Sequence, residues 1–126
     1  MSITEFESFT GVYKEFYNEF YNNGELKSEV FKLNGVKNGI QKVYWITGQL
    51  ESETTYIDGI KNGIDRSYYK SGQLKSEVNF LNGKVSGPYK SYYRSGQLEL
   101  EVSYVDGIEN GPYKSYYESG DIEFES

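Results

Sequence analysis

The chain of 126 residues contains no cysteine and no histidine, and these two absences exclude much of the chemistry that enzymes use. Without cysteine there is no disulfide framework, and there is no thiolate to act as a nucleophile or metal ligand. Without histidine there is no imidazole to act as a base near neutral pH or to bind zinc. The Ser-His and Cys-His nucleophile pairs are therefore excluded. The lack of cysteine also mildly favours a reducing compartment, so we expect a cytoplasmic protein.

Basic clusters and long apolar runs are lacking as well. Thirteen Lys and Arg against 19 Asp and Glu give a net charge of −6, and the basic residues form no run. Because phosphate recognition needs clustered cations, we expect no nucleic-acid partner, and an anionic membrane surface is disfavoured for the same reason. No apolar stretch approaches the ~20 residues that span a bilayer, and no signal peptide is expected. A negative field of this kind would steer a basic protein partner toward the chain.

Glycine and tyrosine are abundant instead, with 14 of each, and they recur with a period of 24 residues. Three glycine series keep this period: Gly24, Gly48, Gly72, Gly96 and Gly120; Gly35, Gly59, Gly83 and Gly107; and Gly39, Gly63, Gly87 and Gly111. Aromatic pairs recur with them at 44–45, 68–69, 92–93 and 116–117. Such a period is typical of stacked units that cannot bury their apolar faces alone. Arrays of this kind usually present a binding surface.

Each unit reads as two short strands and two tight turns. In the unit after Gly63, residues 64–70 are aromatic and free of glycine and proline, and residues 73–81 alternate between apolar and polar. Asn82-Gly83 is the strongest two-residue hairpin signal, and Ser71-Gly72 is interpreted as a second two-residue turn. Gly87, where the next strand starts, predicts a bulge or a close backbone approach.

Two strands and two turns in 24 residues leave no length for helical crossovers, so neighbouring strands must pair antiparallel. The predicted fold is all-β: an elongated, twisted, single-layer meander of consecutive β-hairpins with roughly nine or ten short strands. We expect a cap segment over residues 1–14 and an array of about 4.5 repeats over residues 15–126. Aromatic residues at three- and four-residue spacing favour a short helical or irregular cap over about Thr4 to Val12.

A two-residue turn at Ser71-Gly72 predicts a register. It places Tyr69 opposite Leu74, Tyr68 opposite Lys75 and Arg66 opposite Glu77. Carried through the period, the last pair recurs as Lys42–Glu53, Lys90–Glu101 and Lys114–Glu125. Opposite charges at every such position support this register, since each pair stabilises it by ~0.2–1 kcal/mol.

This register divides the side chains between two faces. The core face carries Trp45, Tyr69, Tyr93 and Tyr117 with the recurring leucines and with Val30, Val78 and Val102. The wet face carries Tyr44, Tyr68, Tyr92 and Tyr116 among the charge pairs. Exposed tyrosine beside cations is typical of protein-binding surfaces. The residues expected to contact a partner are Tyr44, Tyr68, Tyr92, Tyr116, Arg66, Lys90 and Lys114; the alternative is that these tyrosines only shield the backbone of a thin sheet.

Carboxylate pairs are the one catalytic option that the composition leaves open. Glu53, Glu77 and Glu101 recur on every second strand, about 10 Å apart by strand spacing. That separation exceeds the spacing that glycoside hydrolysis requires, and each glutamate has a predicted basic neighbour that keeps it ionised. We therefore expect no enzyme activity, no catalytic residues, no metal site and no cofactor.

Two stretches resemble the MORN repeat: Gly111–Gly120, and Tyr92–Leu98 running on to Tyr104–Gly107. They are most similar to its bacterial variant, whose unit reads Tyr-Tyr-x-x-Gly-x-Leu-x-x-Glu, then an aromatic residue, then Asn/Asp-Gly. The resemblance covers about residues 15 to 126. The sequence departs from the MORN pattern at Phe31-Lys32 and at Trp45. The resemblance implies consecutive β-hairpins in an elongated, twisted, single-layer sheet.

The resemblance also implies a class of function. Bacterial stand-alone arrays of this kind are often labelled antitoxins or immunity proteins, whereas MORN repeats elsewhere are linked to membrane attachment, scaffolding and dimerisation. We therefore expect a non-enzymatic protein-binding module that neutralises a toxin partner, a basic one by the charge argument. The alternatives are a membrane- or phosphoinositide-associated protein and a scaffold that self-associates through its edge strands.

Overall fold

The computed structural model describes residues 2–7 and 13–126 of the chain. Within these ranges the chain forms twelve β-strands and no helix. The strands of the first half are β1 (Ser2–Glu7), β2 (Tyr13–Phe20), β3 (Leu26–Leu33), β4 (Val36–Lys37), β5 (Gly39–Tyr44) and β6 (Leu50–Ile57). Those of the second half are β7 (Ile60–Tyr68), β8 (Leu74–Leu81), β9 (Lys84–Tyr92), β10 (Leu98–Val105), β11 (Ile108–Tyr116) and β12 (Ile122–Glu125).

All twelve strands belong to one sheet, in which neighbours in sequence are neighbours in space. The order is β1-β2-β3-β5-β6-β7-β8-β9-β10-β11-β12, and β4 pairs with β3 beside this path. Every pair is antiparallel. The predicted single-layer meander of hairpins is confirmed. β1 and the two-residue β4 are additional to the strands predicted from the repeats.

The N-terminal segment differs from its prediction. The helical or irregular cap expected over about Thr4 to Val12 is wrong for residues 4–7, because these belong to β1, which pairs with β2 from Ser2↔Asn18 to Glu7↔Tyr13. An uncovered edge strand presents unpaired N–H and C=O groups, and a paired strand satisfies them whereas a helix does not. The rest of the predicted cap, residues 8–12, lies outside the described residues.

The Asn-Gly and Asp-Gly turns have the predicted hairpin geometry. Asn82 has φ 50° and Gly83 has φ 85°, so both central residues are left-handed as a type I′ turn requires. The turns at Asn34, Asp58 and Asp106 repeat this geometry with φ between 49° and 51°. Gly87 has φ 90°, and the register of β8 against β9 shifts between Val78 and Phe80, which confirms the predicted bulge.

The second turn of each repeat is longer than predicted. At the end of β7, the N–H of Tyr69 donates to the carbonyl of Gln73 at 2.9 Å, and the N–H of Gly72 donates to the carbonyl of Tyr69 at 2.8 Å. The loop therefore has three residues, with Gly72 at φ 94° as its bulge residue, and the two-residue Ser71-Gly72 turn is wrong. Glycine adopts the positive φ of this position without strain. Because a Ser-Gly pair fits a two-residue turn as well as a three-residue turn, the sequence does not reveal the turn length.

The longer turn corrects two of the predicted pairs. Tyr68 lies opposite Leu74, not Lys75, and the backbone of Tyr69 bonds to Gln73, not to Leu74. The register then shifts between Ser67 and Tyr68, which leaves an extra residue in β8. Because this bulge cancels the longer turn, all pairs farther from the turn have the predicted register.

The charged side chains form a continuous row across the wet face. The predicted pairs Lys42–Glu53, Arg66–Glu77, Lys90–Glu101 and Lys114–Glu125 are confirmed. Between hairpins the pairs are Glu29–Lys42, Glu53–Arg66, Glu77–Lys90 and Glu101–Lys114. The charge ladder is this row of nine residues: Glu29, Lys42, Glu53, Arg66, Glu77, Lys90, Glu101, Lys114 and Glu125. Because its signs alternate, each charge has only opposite charges directly beside it, which stabilises the register.

Successive repeats are also connected through their turns. The N–H of Gly59 donates to the carbonyl of Lys37 at 2.8 Å, and the same bond recurs from Gly83 to Lys61 and from Gly107 to Val85, also at 2.8 Å. Each donor is the second residue of an Asn/Asp-Gly turn, and each acceptor lies just after the equivalent turn of the preceding repeat. The hydrogen bonds therefore stack the turns along one long side of the sheet.

Little of the sheet is fully buried, as a single layer requires. Among the described residues, Val30 and Val102 are 3% exposed and Ser28 is 9% exposed. Val102 lies directly opposite Tyr89 and Tyr113, so two tyrosines flank it. The core face therefore has a thin core at these valines, as predicted. Tyr117, also assigned to that face, is 54% exposed.

We expect Gly59→Ala to destabilise the protein more than Gly48→Ala. Both glycines have positive φ, 80° and 98°, so both alanines carry a strain of ~1–2 kcal/mol. A Cβ at residue 59 would additionally lie 3.1 Å from Cγ1 of Val36, whereas a Cβ at residue 48 meets nothing within 4 Å. Urea unfolding should show a loss for Gly59→Ala that is larger by about 1 kcal/mol. Equal losses would show that the contact between the added Cβ and Val36 costs nothing.

Candidate binding surface

The structure brings the seven expected contact residues together on one face. Tyr44, Tyr68, Tyr92 and Tyr116 are the last residues of β5, β7, β9 and β11. Each lies two residues after a cation of the charge ladder, and side chains two residues apart in a strand point to the same face. The three cations expected at the site, Arg66, Lys90 and Lys114, are members of that ladder.

Two of these tyrosines reach back to the glutamate of the preceding hairpin. The hydroxyl of Tyr44 donates to Oε1 of Glu29 at 3.2 Å, and that of Tyr68 donates to Oε1 of Glu53 at 2.5 Å. Both pairs are separated by 15 residues, so they are the same contact in successive repeats. A tyrosine hydroxyl thus holds a ladder carboxylate in place in each case.

The same contacts change how readily these tyrosines lose their protons. Partial burial, the hydrogen bond to Glu53 and the charge of that carboxylate, in that order, together raise the pKa of Tyr68 to about 12. The pKa of Tyr44 is also raised, first by burial and then by the charge of Glu29. Both hydroxyls are therefore protonated donors at neutral pH.

Two other ladder glutamates, Glu77 and Glu101, contact the cation directly opposite them in their own hairpin. Nε of Arg66 donates to Oε2 of Glu77 at 2.7 Å, and this hydrogen bond raises the pKa of Arg66. Nζ of Lys90 lies 3.5 Å from Oε2 of Glu101. These side chains are a third or more exposed, so each pair contributes only about 0–1 kcal/mol to stability. The charge ladder therefore contributes more to the correct register of the strands than to the stability of the fold.

The wet-face tyrosines are less accessible than their expected role as exposed anchors requires. All four are half-buried. Tyr44 and Tyr68 lie over the neighbouring hairpin to reach their glutamates, and this packing covers part of each ring. Interface anchors are often partly buried before binding, because a fixed ring loses less conformational entropy when a partner binds.

A second tyrosine series connects repeats in a way that the sequence reasoning missed. The hydroxyl of Tyr69 donates to the backbone carbonyl of Tyr92 at 2.6 Å, and the hydroxyl of Tyr93 donates to that of Tyr116 at 2.6 Å. Tyr21 makes the same 2.6 Å bond to the carbonyl of Tyr44. The core-face tyrosines therefore hold the backbone that presents the wet-face tyrosines. The sequence signal that could have predicted these hydrogen bonds is the recurrence of tyrosine at positions that follow the 24-residue period.

The family model of the MORN repeat variant matches four segments of the chain, residues 37–58, 61–82, 86–106 and 109–126. These segments cover more than half of the sequence, and the chain belongs to the MORN repeat variant family. Its MORN repeats indicate a repeat module that binds proteins or membranes. Among curated proteins, none matches the chain significantly.

The unit that precedes the matched segments has the same local structure. The N–H of Tyr21 donates to the carbonyl of Glu25 at 2.8 Å, and the N–H of Gly24 donates to that of Tyr21 at 3.0 Å, as in the later three-residue turns. β2 and β3 therefore form a further repeat of the array, despite the departure at Phe31-Lys32.

Two further properties of the described residues bear on the type of site. No group of three or more acidic side chains in residues 2–7 and 13–126 is placed to hold a metal ion. In the same part of the chain, no helix is long and apolar enough to cross a bilayer. What these residues do offer is an extended surface of tyrosine and paired charge.

We expect Tyr68→Phe to flatten the loss of stability at high pH. The pKa of Tyr68 is raised from 10.0 to about 12, so the folded state keeps a proton that the unfolded chain releases. The resulting stabilisation is fully present below pH 10 and is lost as the pH rises through about 12. Between these values the unfolding free energy of the parent protein should fall more steeply than that of Tyr68→Phe.

Urea unfolding followed by circular dichroism at several pH values between 9 and 12 measures both slopes. Tyr117→Phe is the matched control, because the hydroxyl of Tyr117 has no hydrogen bond among the described residues and its ring is exposed. Identical slopes for the parent and Tyr68→Phe would show that Glu53 does not hold the Tyr68 proton.

Proposed function

We propose that this chain is a non-enzymatic protein-binding module whose wet face contacts the partner through Tyr44, Tyr68, Tyr92, Tyr116, Arg66, Lys90 and Lys114. The observation that carries the proposal is the alignment of these seven side chains on one face of an open single-layer sheet. Tyrosine and arginine are the residue types that most often anchor protein interfaces.

The dimensions of this surface suit a macromolecule. From β5 to β11 there are six strand spacings of ~4.8 Å, so the tyrosine row extends for about 29 Å. A row of this length fits the ~800 Å² that each partner contributes to a standard protein interface. A small substrate would contact only one or two repeats, and nothing in the row distinguishes one repeat as a reaction centre.

Charge supports a basic partner. The ladder alternates in sign, so the wet face itself is nearly balanced, while the whole chain carries −6. The long-range field would therefore attract a basic protein, and the local alternation would align it. We expect the association rate to fall as the salt concentration rises.

We propose further that the partner is a toxin that this chain neutralises in the cytoplasm. The support for this is the resemblance to stand-alone MORN-type arrays, which are often labelled antitoxins or immunity proteins. A long rigid surface without a reaction centre suits a protein that covers the active surface of another protein.

One observation favours a second function, self-association through the edge of the sheet. β12 pairs with β11 on one side only within the described sheet, and all four of its residues are exposed. Its apolar side chains Ile122 and Phe124 are 54% and 55% exposed. An uncovered edge of this kind can pair with an edge of another copy. Glu123 and Glu125 oppose this by charge repulsion between copies.

We expect the double variant Tyr68→Ala/Tyr92→Ala to lose partner binding while the fold is retained. Both substitutions remove rings from the middle of the wet face, and anchor residues typically cost 2 kcal/mol or more each when truncated, about a 30-fold loss of affinity. The measurement is a tagged pull-down from the source cells with the parent chain and the variant as baits, followed by mass spectrometry of the bound proteins.

Tyr117→Ala is the matched control, because it removes an exposed tyrosine of the core face. A protein retained by the parent chain and by Tyr117→Ala but lost from the double variant supports the wet-face proposal. Equal recovery on all three baits, with circular dichroism showing that each is folded, would contradict it. Recovery of the bait alone, with a mass above the monomer in light scattering, would favour self-association instead.

A further inference from the structure

A concavity of about 430 Å³ lies among the three-residue turns at one side of the sheet. Its lining residues are Trp45, Tyr68, Tyr69, Lys70, Ser71, Lys75 and Arg94. Three are aromatic, three are basic and the seventh is serine, so no acidic side chain lines the space. In a chain of net charge −6, this combination is distinct from the alternating charge ladder.

The concavity lies where the tyrosine series is interrupted. Tyr21, Tyr69 and Tyr93 each donate a hydroxyl hydrogen bond to a carbonyl of the next repeat. Trp45 occupies the equivalent position and makes no such bond among the described residues. Within residues 2–7 and 13–126, no hydroxyl donates to the carbonyl of Tyr68, which the series would reach from residue 45, and both residues line the concavity. Because Trp45 stands where other repeats have tyrosine, this repeat lacks the hydroxyl hydrogen bond to the next repeat.

Two cations of the concavity make cation–π contacts with the ring of Tyr69, and none of its three cations has a carboxylate partner among the described residues. Nζ of Lys75 lies 5.8 Å from the ring centroid of Tyr69, and the guanidinium carbon of Arg94 lies 5.6 Å from the same centroid. The ion pairs of the described residues involve Lys61, Arg66 and Lys90, and none of the three cations here. Lys75 and Arg94 therefore both lie within 6 Å of one ring and have no carboxylate partner among the described residues, so an anion bound beside that ring would be attracted by both.

We propose that this concavity binds a carboxylate that stands next to an aromatic side chain in a peptide segment of a protein. The carboxylate contacts Lys75 and Arg94, and the neighbouring ring packs on Trp45 and Tyr69. The proposal rests on the proposed function in one respect, that the ligand is part of a protein. It adds a second site, at the turns, whose cations are not among the seven residues assigned to partner binding.

The size and composition of the concavity suit this ligand. Its volume lies at the lower end of the range for pockets that enclose a small ligand, which leaves room for about one ring and one anionic group. Arginine binds carboxylates through two parallel N–H groups, and Lys70 and Ser71 are further donors at the rim. The carboxylate comes either from an internal acidic residue or from a chain terminus.

Trp45 is the single tryptophan of the chain, so its fluorescence reports on this site alone. The probes are the blocked peptide Gly-Glu-Phe-Glu-Gly, its counterpart Gly-Gln-Phe-Gln-Gly, and Gly-Gly-Phe with a free carboxyl terminus. We expect the glutamate peptide or the free-terminus peptide to change the Trp45 emission saturably, and the glutamine peptide to bind at least tenfold more weakly. Which of the two carboxylate peptides binds more tightly identifies the source of the carboxylate.

Lys75→Gln/Arg94→Gln should reduce the affinity for the preferred peptide at least tenfold. Lys84→Gln, which removes an exposed lysine at the start of β9, should leave the affinity within twofold of the parent value. In addition, Trp45→Tyr offers the missing hydroxyl to the carbonyl of Tyr68, and calorimetry should detect no peptide binding to it. Circular dichroism establishes that each variant is folded.

Equal affinity for the glutamate and glutamine peptides, or an unchanged affinity in Lys75→Gln/Arg94→Gln, would overturn the proposal. So would inorganic phosphate that changes the Trp45 emission at lower concentration than any of the peptides, because the site would then select phosphate. Because Tyr68 also lines the concavity, Tyr92→Ala/Tyr116→Ala is the variant that alters the wet face alone. Failure of the peptide test with a loss of partner binding in that variant leaves the wet-face proposal standing. Peptide binding with unchanged partner binding in that variant leaves the turn site standing alone.

Discussion

The constant register of the strand pairs is the constraint on which the rest of this molecule depends. A single-layer sheet has no second layer against which to bury apolar side chains, so alignment must come from turns, backbone hydrogen bonds and cross-strand pairs. Two turns per repeat, each with a glycine at positive φ, set the alignment, and the charge ladder stabilises it only if each turn has the right length. The extra residue in the Ser-Gly turn and the bulge beside it cancel each other for this reason.

The two faces depend on each other through tyrosine. Core-face hydroxyls from Tyr69 and Tyr93 bond to the carbonyls of Tyr92 and Tyr116, so one series positions the backbone of the other. The wet-face series then bonds to ladder glutamates in the earlier repeats. Amphipathic rings allow both arrangements in a thin sheet with little buried interior, because each ring covers apolar surface while its hydroxyl finds a polar partner. The result is a surface that is ordered before any partner arrives.

Much of this could be predicted from the sequence because the signals are local. The Asn-Gly turns, the alternation in residues 73–81 and the opposite charges of Arg66 and Glu77 define the hairpins and most of their register. The three-residue turn could not be predicted, because a Ser-Gly pair fits turns of either length and only backbone geometry distinguishes them. Likewise, the hydroxyl bond of Tyr69 and the strand pairing of residues 2–7 depend on which backbone lies nearby, which no local pattern specifies.

The most direct test of the wet face as a binding surface is nuclear magnetic resonance of the isotope-labelled chain with its captured partner. The side-chain signals of Arg66, Tyr68 and Tyr92 should change on addition of the partner, while those of Tyr117 should not. Changes confined to Ile122 and Phe124 of the edge strand, with the wet-face signals unmoved, would contradict the central claim and assign the interaction to the edge of the sheet.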